Sequence, residues 1–131
     1  MNSFNNKTIL ITGASSGIGK ATAKLLAANG AKLALVARSA DRLQTVVKEI
    51  GGEALALTCD VTSVDQLQTS VTIAIERFGK LDALFANAGL YLSGDVASGN
   101  PSAWAELIDT NIKGGAAQIW VADSPRNPAG P

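Results

Sequence analysis

The 131-residue chain has no histidine and only one cysteine, Cys59. Without histidine, Ser-His-Asp triads and His-containing metal centres are excluded, and one thiolate cannot build a zinc cage. A lone cysteine also excludes an internal disulfide and suits a reducing compartment. It follows a short apolar stretch, so a buried, unreactive thiol is expected. An excess of charge of either sign is missing too. Eleven basic residues balance eleven acidic ones, and bulk electrostatic attraction to nucleic acid or to an acidic membrane is not expected. No apolar run approaches membrane-spanning length, and no charged segment followed by an apolar signal core opens the chain. The expectation is a soluble, cytoplasmic protein without a metal site, a nucleic-acid partner or a membrane partner.

What is present is a globular composition. Hydrophobic residues make up 47% of the chain and charged residues 17%, which fits one packed domain. The informative stretch is Lys7 to Gly19. Thr8 to Ile11 is a β-branched and aliphatic run that reads as a buried strand. Gly13, Gly17 and Gly19 follow where that strand would turn into a helix. The first turn of a helix offers unpaired N–H groups and the positive end of its dipole, and glycine lets a phosphate come close. The spacing Gly-x-x-x-Gly-x-Gly therefore reads as a pyrophosphate cradle.

Strand and helix signals then alternate. Ile18, Ala21, Leu25 and Leu26 would form the buried face of the first helix, closed by Asn29-Gly30. Lys32 to Ala37 reads as a second strand. Leu43, Val46, Val47 and Ile50 repeat at helical spacing and end at Gly51-Gly52. Ala54 to Thr58 reads as a third strand. Thr62 is the expected N-cap, with Asp65 completing a capping box. The helix behind it would bury Val64, Leu67, Val71, Ala74, Ile75 and Phe78, and Gly79 would close it. Leu81 to Ala86 reads as a fourth strand. Pro101 suits the first turn of a further helix, with Trp104, Leu107 and Ile108 facing the core. The alternation predicts a parallel α/β sheet with helices on both faces and a ligand at the carboxyl ends of the strands.

With those residues in place, the chain resembles the short-chain dehydrogenase/reductase family. Thr12-Gly13-Ala14-Ser15-Ser16-Gly17-Ile18-Gly19 matches its cofactor motif, T-G-x-x-x-G-x-G. Asp60-Val61 matches the pair that holds the adenine, and Asn87-Ala88-Gly89 the motif that steadies the sheet and lines the nicotinamide ribose. Asn111 matches the active-site asparagine. The resemblance implies a Rossmann-type domain over residues 1–121, with strand order 3-2-1-4. It assigns Gly13, Ser15, Ser16, Gly17, Ile18 and Gly19 to the pyrophosphate. Cofactor choice follows from charge. An acid near the end of the second strand reads a free ribose 2′-hydroxyl, and a base reads a 2′-phosphate. Arg38 and Ser39 stand there, with no carboxylate before Asp41, so NADP is expected over NAD. The loop 86–104 is similar to that of polyol dehydrogenases of the ribitol 2-dehydrogenase type.

The family's later residues have no counterpart here. A serine and a Y-x-x-x-K pair, which polarise the substrate and transfer its proton, are expected beyond the asparagine. The only tyrosine is Tyr91, with Asp95 four residues on, and Ser124 lies between Asp123 and Pro125. Three of the four prolines fall in the last seven residues, so residues 122–131 are expected to be a disordered tail. The expectation is a truncated or frame-shifted reductase. It would keep four of the family's seven strands, be inactive or nearly so as a lone chain and tend to self-associate; the alternatives are a non-catalytic dinucleotide-binding module and an unstable fragment of a longer reductase. An alcohol or carbonyl substrate would belong to a full-length parent.

Overall fold

The computed structural model describes residues 4–87, together with Pro128. Over that span the chain runs β1 (Thr8–Thr12), α1 (Gly17–Ala28), β2 (Lys32–Ala37), α2 (Ala40–Ile50), β3 (Ala54–Thr58), α3 (Val64–Phe78) and β4 (Ala83–Phe85). The four strands are parallel and lie in the order β3-β2-β1-β4. This is the expected doubly covered α/β sheet, and all four carboxyl ends meet at one edge.

Period-two alternation divides the core in two. On one face Ile9 and Ile11 of β1 and Leu33 and Leu35 of β2 pack with Ala23 of α1 and Leu43 and Val46 of α2. On the other, Leu10, Ala34, Val36 and Leu57 pack with Leu67, Val71 and Ala74 of α3. Strands buried on both sides need apolar residues at every position, which explains the unbroken run Leu33–Ala37. Cys59 lies in the α3-side core as expected. Burial pushes its thiol pKa up, against the lowering effect of a hydrogen bond with Ser70.

Three expectations need correction. The buried face of α1 is Gly19 and Ala23, with Leu26 and Ala27 packed beside them. Ile18 and Leu25 are 71% and 65% exposed, and Ala21 is exposed as well. Gly19 fixes this register, because it is pressed against the Gly13 backbone and the Asn87 amide. Ala23, Leu26 and Ala27 follow it on the same stripe.

The N-cap of α3 is Ser63, one residue later than expected. Its hydroxyl accepts from the N–H of Gln66 at 3.3 Å. The Thr62 hydroxyl is turned the other way, donating to Asp60 Oδ1 at 2.7 Å. Val64 consequently sits at the exposed start of the helix, 40% accessible.

The fourth strand is shorter than Leu81–Ala86. At its start Asp82 clamps Thr8 twice, its N–H donating to the Thr8 carbonyl and its Oδ2 accepting from the Thr8 N–H, both at 2.9 Å. A side chain thus stands where a ladder carbonyl would be. At its end, the Asn87 N–H turns back to the Phe85 carbonyl at 3.0 Å.

Candidate functional site

The turn between β1 and α1 sits at the carboxyl edge of the sheet. Gly13 and Gly17 adopt φ of 65° and 58°, a region that costs other residues about 1–2 kcal/mol. A Cβ on Gly17 would meet nothing within 4 Å, so there the requirement is conformational. At Gly19 it is spatial. A Cβ would collide with the Gly13 carbonyl oxygen and stand 2.7 Å from Asn87 Nδ2.

The N-terminus of α1 differs from those of α2 and α3. Ser39 and Ser63 cap α2 and α3 with their side chains, and Asp41 and Asp65 occupy those first turns. Ser16, at the head of α1, makes no side-chain cap, and the first turn holds no acid. The positive end of the α1 dipole is thus not countered by a carboxylate of its own first turn, an arrangement suited to an anion. Ser15, Ser16 and Ile18 are partly or fully exposed along this turn. The residues present fit a pyrophosphate.

The end of β4 is tied to the turn. Asn87 N–H donates to Thr12 Oγ1 at 3.0 Å, and Asn87 Nδ2 donates to the Gly13 carbonyl at 3.3 Å. Thr12 Oγ1 in turn reaches the Phe85 carbonyl at 3.5 Å. Thr12 was legible as part of the glycine motif, but its bridging hydroxyl was not assigned from the sequence. A threonine closing a strand before the first glycine was the available signal.

Arg38 and Ser39 follow the end of β2, and Asp60 and Val61 follow β3. The pairing of Ala37 with Thr58, extended by a Cys59 N–H bond to the Ala37 carbonyl at 3.0 Å, brings these two ends side by side. Arg38 Nη2 stands 3.6 Å from Asp60 Oδ1, with both side chains about half exposed. The sequence reading found no acid beside Arg38 before Asp41, and the fold supplies one from the neighbouring strand. Ser39 Oγ accepts the Arg42 N–H at 3.4 Å, which leaves its own proton free to donate. Asp60 is held below the usual carboxylate range, first by the N–H of Thr62, then by its hydroxyl and by the charge of Arg38. The Val61 side chain is buried in the α3-side core, 4% exposed. Ala88, Gly89 and Asn111 lie outside the described residues, as do Tyr91, Trp104 and the loop beyond Asn87.

Among the described residues no group of three or more His, Cys, Asp or Glu side chains could hold a metal ion. Nor is any described helix long and apolar enough to cross a membrane.

A glycine turn at a helix start without a side-chain cap, with base- and acid-bearing strand ends on the same edge, lies where open parallel α/β sheets receive their ligands. The sequence profile of the short chain dehydrogenases matches residues 7–120. The chain belongs to that family. It is 48% identical over 114 residues to an uncharacterized oxidoreductase of Listeria monocytogenes, covering 85% of this chain and 46% of that one. The crystal structure of a short-chain type dehydrogenase/reductase from Mycobacterium marinum superposes with a TM-score of 0.87 at 35% identity, over 93% of this chain and 51% of that one. A 3-ketoacyl-(acyl-carrier-protein) reductase from Brucella melitensis, crystallised in complex with NADH, matches with a TM-score of 0.85 at 33% identity, over 90% of this chain and 49% of that one. The chain therefore spans about half the length of the relatives it matches.

Proposed function

We propose that this chain forms the cofactor-binding part of an NADP-preferring short-chain oxidoreductase that oxidises an alcohol or reduces a ketone or aldehyde. The observation that carries the cofactor choice is the placement of Arg38. Its guanidinium follows β2 on the same sheet edge as the glycine turn, where a base suits a 2′-phosphate. In this reading Gly13, Ser15, Ser16, Gly17, Ile18 and Gly19 hold the pyrophosphate, and Arg38 and Ser39 the 2′-phosphate. Asp60 and the Val61 backbone hold the adenine, Asn87, Ala88 and Gly89 the ribose, and Asn111 stands at the reacting end. The nicotinamide, when bound, supplies the carbon that gives or takes hydride.

The chain's own residues bind and orient that group. Proton transfer to the substrate oxygen needs a further acid or base, and no Tyr-x-x-x-Lys pair occurs in the 131 residues. As a lone polypeptide it is proposed to bind cofactor without turnover, in the cytoplasm, and to self-associate.

Arg38→Asp tests the assignment. It should weaken NADPH binding by about tenfold or more while changing NADH binding little, because one charge-assisted phosphate contact is lost. Equal losses for both cofactors would contradict it.

A further inference from the structure

The Arg38–Asp60 pair is built unequally. Asp60 Oδ1 accepts from the Thr62 N–H at 3.0 Å and from the Thr62 hydroxyl at 2.7 Å. Its own N–H donates to Gln66 Oε1 at 2.7 Å, and Gln66 belongs to α3. The carboxylate is thus fixed to the start of α3. Arg38 approaches it on a long stem, half exposed, at 3.6 Å. A dianionic group engaging Arg38 would face a stationary carboxylate competing for the same guanidinium. A ribose with a free hydroxyl would leave the ion pair as it is.

We propose that Asp60 is a specificity-determining residue, which limits the preference for NADPH by holding Arg38 in a charge-compensated pair that a 2′-phosphate must loosen. The proposal rests on Arg38 being the phosphate contact. Thr62 and Gln66 are then positioning residues, since they act on the cofactor only through Asp60. Removing the Asp60 charge releases Arg38 to the phosphate, so it favours NADPH alone. Any loss at the adenine falls on both cofactors and cancels in their ratio.

The experiment is a fluorescence titration of the 131-residue chain with NADPH and with NADH, in wild type, Asp60→Asn, Arg38→Gln and the double variant. Asp60→Asn should raise the NADPH:NADH affinity ratio by about two- to fivefold, the range of a half-exposed ion pair. In the Arg38→Gln background it should change the ratio by less than about twofold. Asp60→Ser, which can still accept from Thr62, is the second neutral variant should Asp60→Asn fail to melt cooperatively, and Asp60→Glu should stay near the wild-type ratio. An unchanged ratio in the folded neutral variants, or the same rise without Arg38, overturns the proposal. The Arg38→Gln arm alone tests the underlying reading: if it leaves the wild-type ratio unchanged, Arg38 is not the phosphate contact, whatever Asp60 does.

Discussion

Asn87 donates its side-chain amide to the carbonyl oxygen of Gly13 at 3.3 Å, across 74 residues of sequence. The bond joins the end of β4 to the turn that opens α1. With the Asn87 N–H on Thr12 Oγ1 at 3.0 Å, it closes a ring of polar contacts behind the glycine cradle. The cradle's backbone is therefore shaped by tertiary contacts as well as by its own glycines.

Gly19→Ala should separate the two roles glycine plays here. The added methyl would enter the space of the Gly13 carbonyl and Asn87 Nδ2, so backbone or amide must shift. Overpacking of this kind costs about 1–3 kcal/mol. Gly51→Ala is the comparison, with φ of 67° and open space around its Cβ, and strain alone of about 1 kcal/mol. Urea denaturation should rank Gly19→Ala as the more damaging. Cofactor affinity should fall for Gly19→Ala and stay unchanged for Gly51→Ala.

Thr8 is fully buried, and its hydroxyl has no hydrogen-bond partner among the described residues. A buried, unmade hydrogen bond is a standing cost, and valine has nearly the same shape without the hydroxyl. Thr8→Val should stabilise the chain by about 1 kcal/mol, seen as a higher urea midpoint with an unchanged slope. A lower midpoint would mean that the hydroxyl is satisfied in solution.

Asp82 makes the junction of β1 and β4 sensitive to acid. Burial raises its pKa, but the Thr8 N–H, the Lys80 hydrogen bond and the charges of Lys80 and Lys7 outweigh that and lower it. A depressed carboxylate contributes stability that is present above its unfolded value of about 3.9 and is lost as pH falls through the folded value. Asp82→Asn should therefore cost about 1 kcal/mol at pH 7. The gap to wild type should narrow below about pH 4. A gap that is constant with pH would contradict the role given to the charge.

Much of the fold was legible because buried strands and helix faces carry their own periodicity. β2 and β3 fall on the residues read from the sequence, and Gly51 and Gly79 end their helices in left-handed conformations. What escaped depends on contacts between distant segments. The face of α1 was misread because Ile18 and Leu25 are large and apolar, whereas its register is set by a glycine under a carbonyl from another turn. Ser63 stands as N-cap in place of Thr62, whose hydroxyl is turned toward Asp60. Arg38 was read as lacking a nearby acid because Asp60 becomes its neighbour only through the β2–β3 pairing.

The most direct measurement is a titration of the purified chain with NADPH and NADH, following nicotinamide fluorescence and Tm together. Saturable binding, tighter for NADPH and accompanied by a rise in Tm, is the expected result, since a ligand that binds only the folded state stabilises it. A cooperative melt that neither dinucleotide shifts, with no fluorescence change, would mean that the glycine turn does not hold a cofactor in this chain.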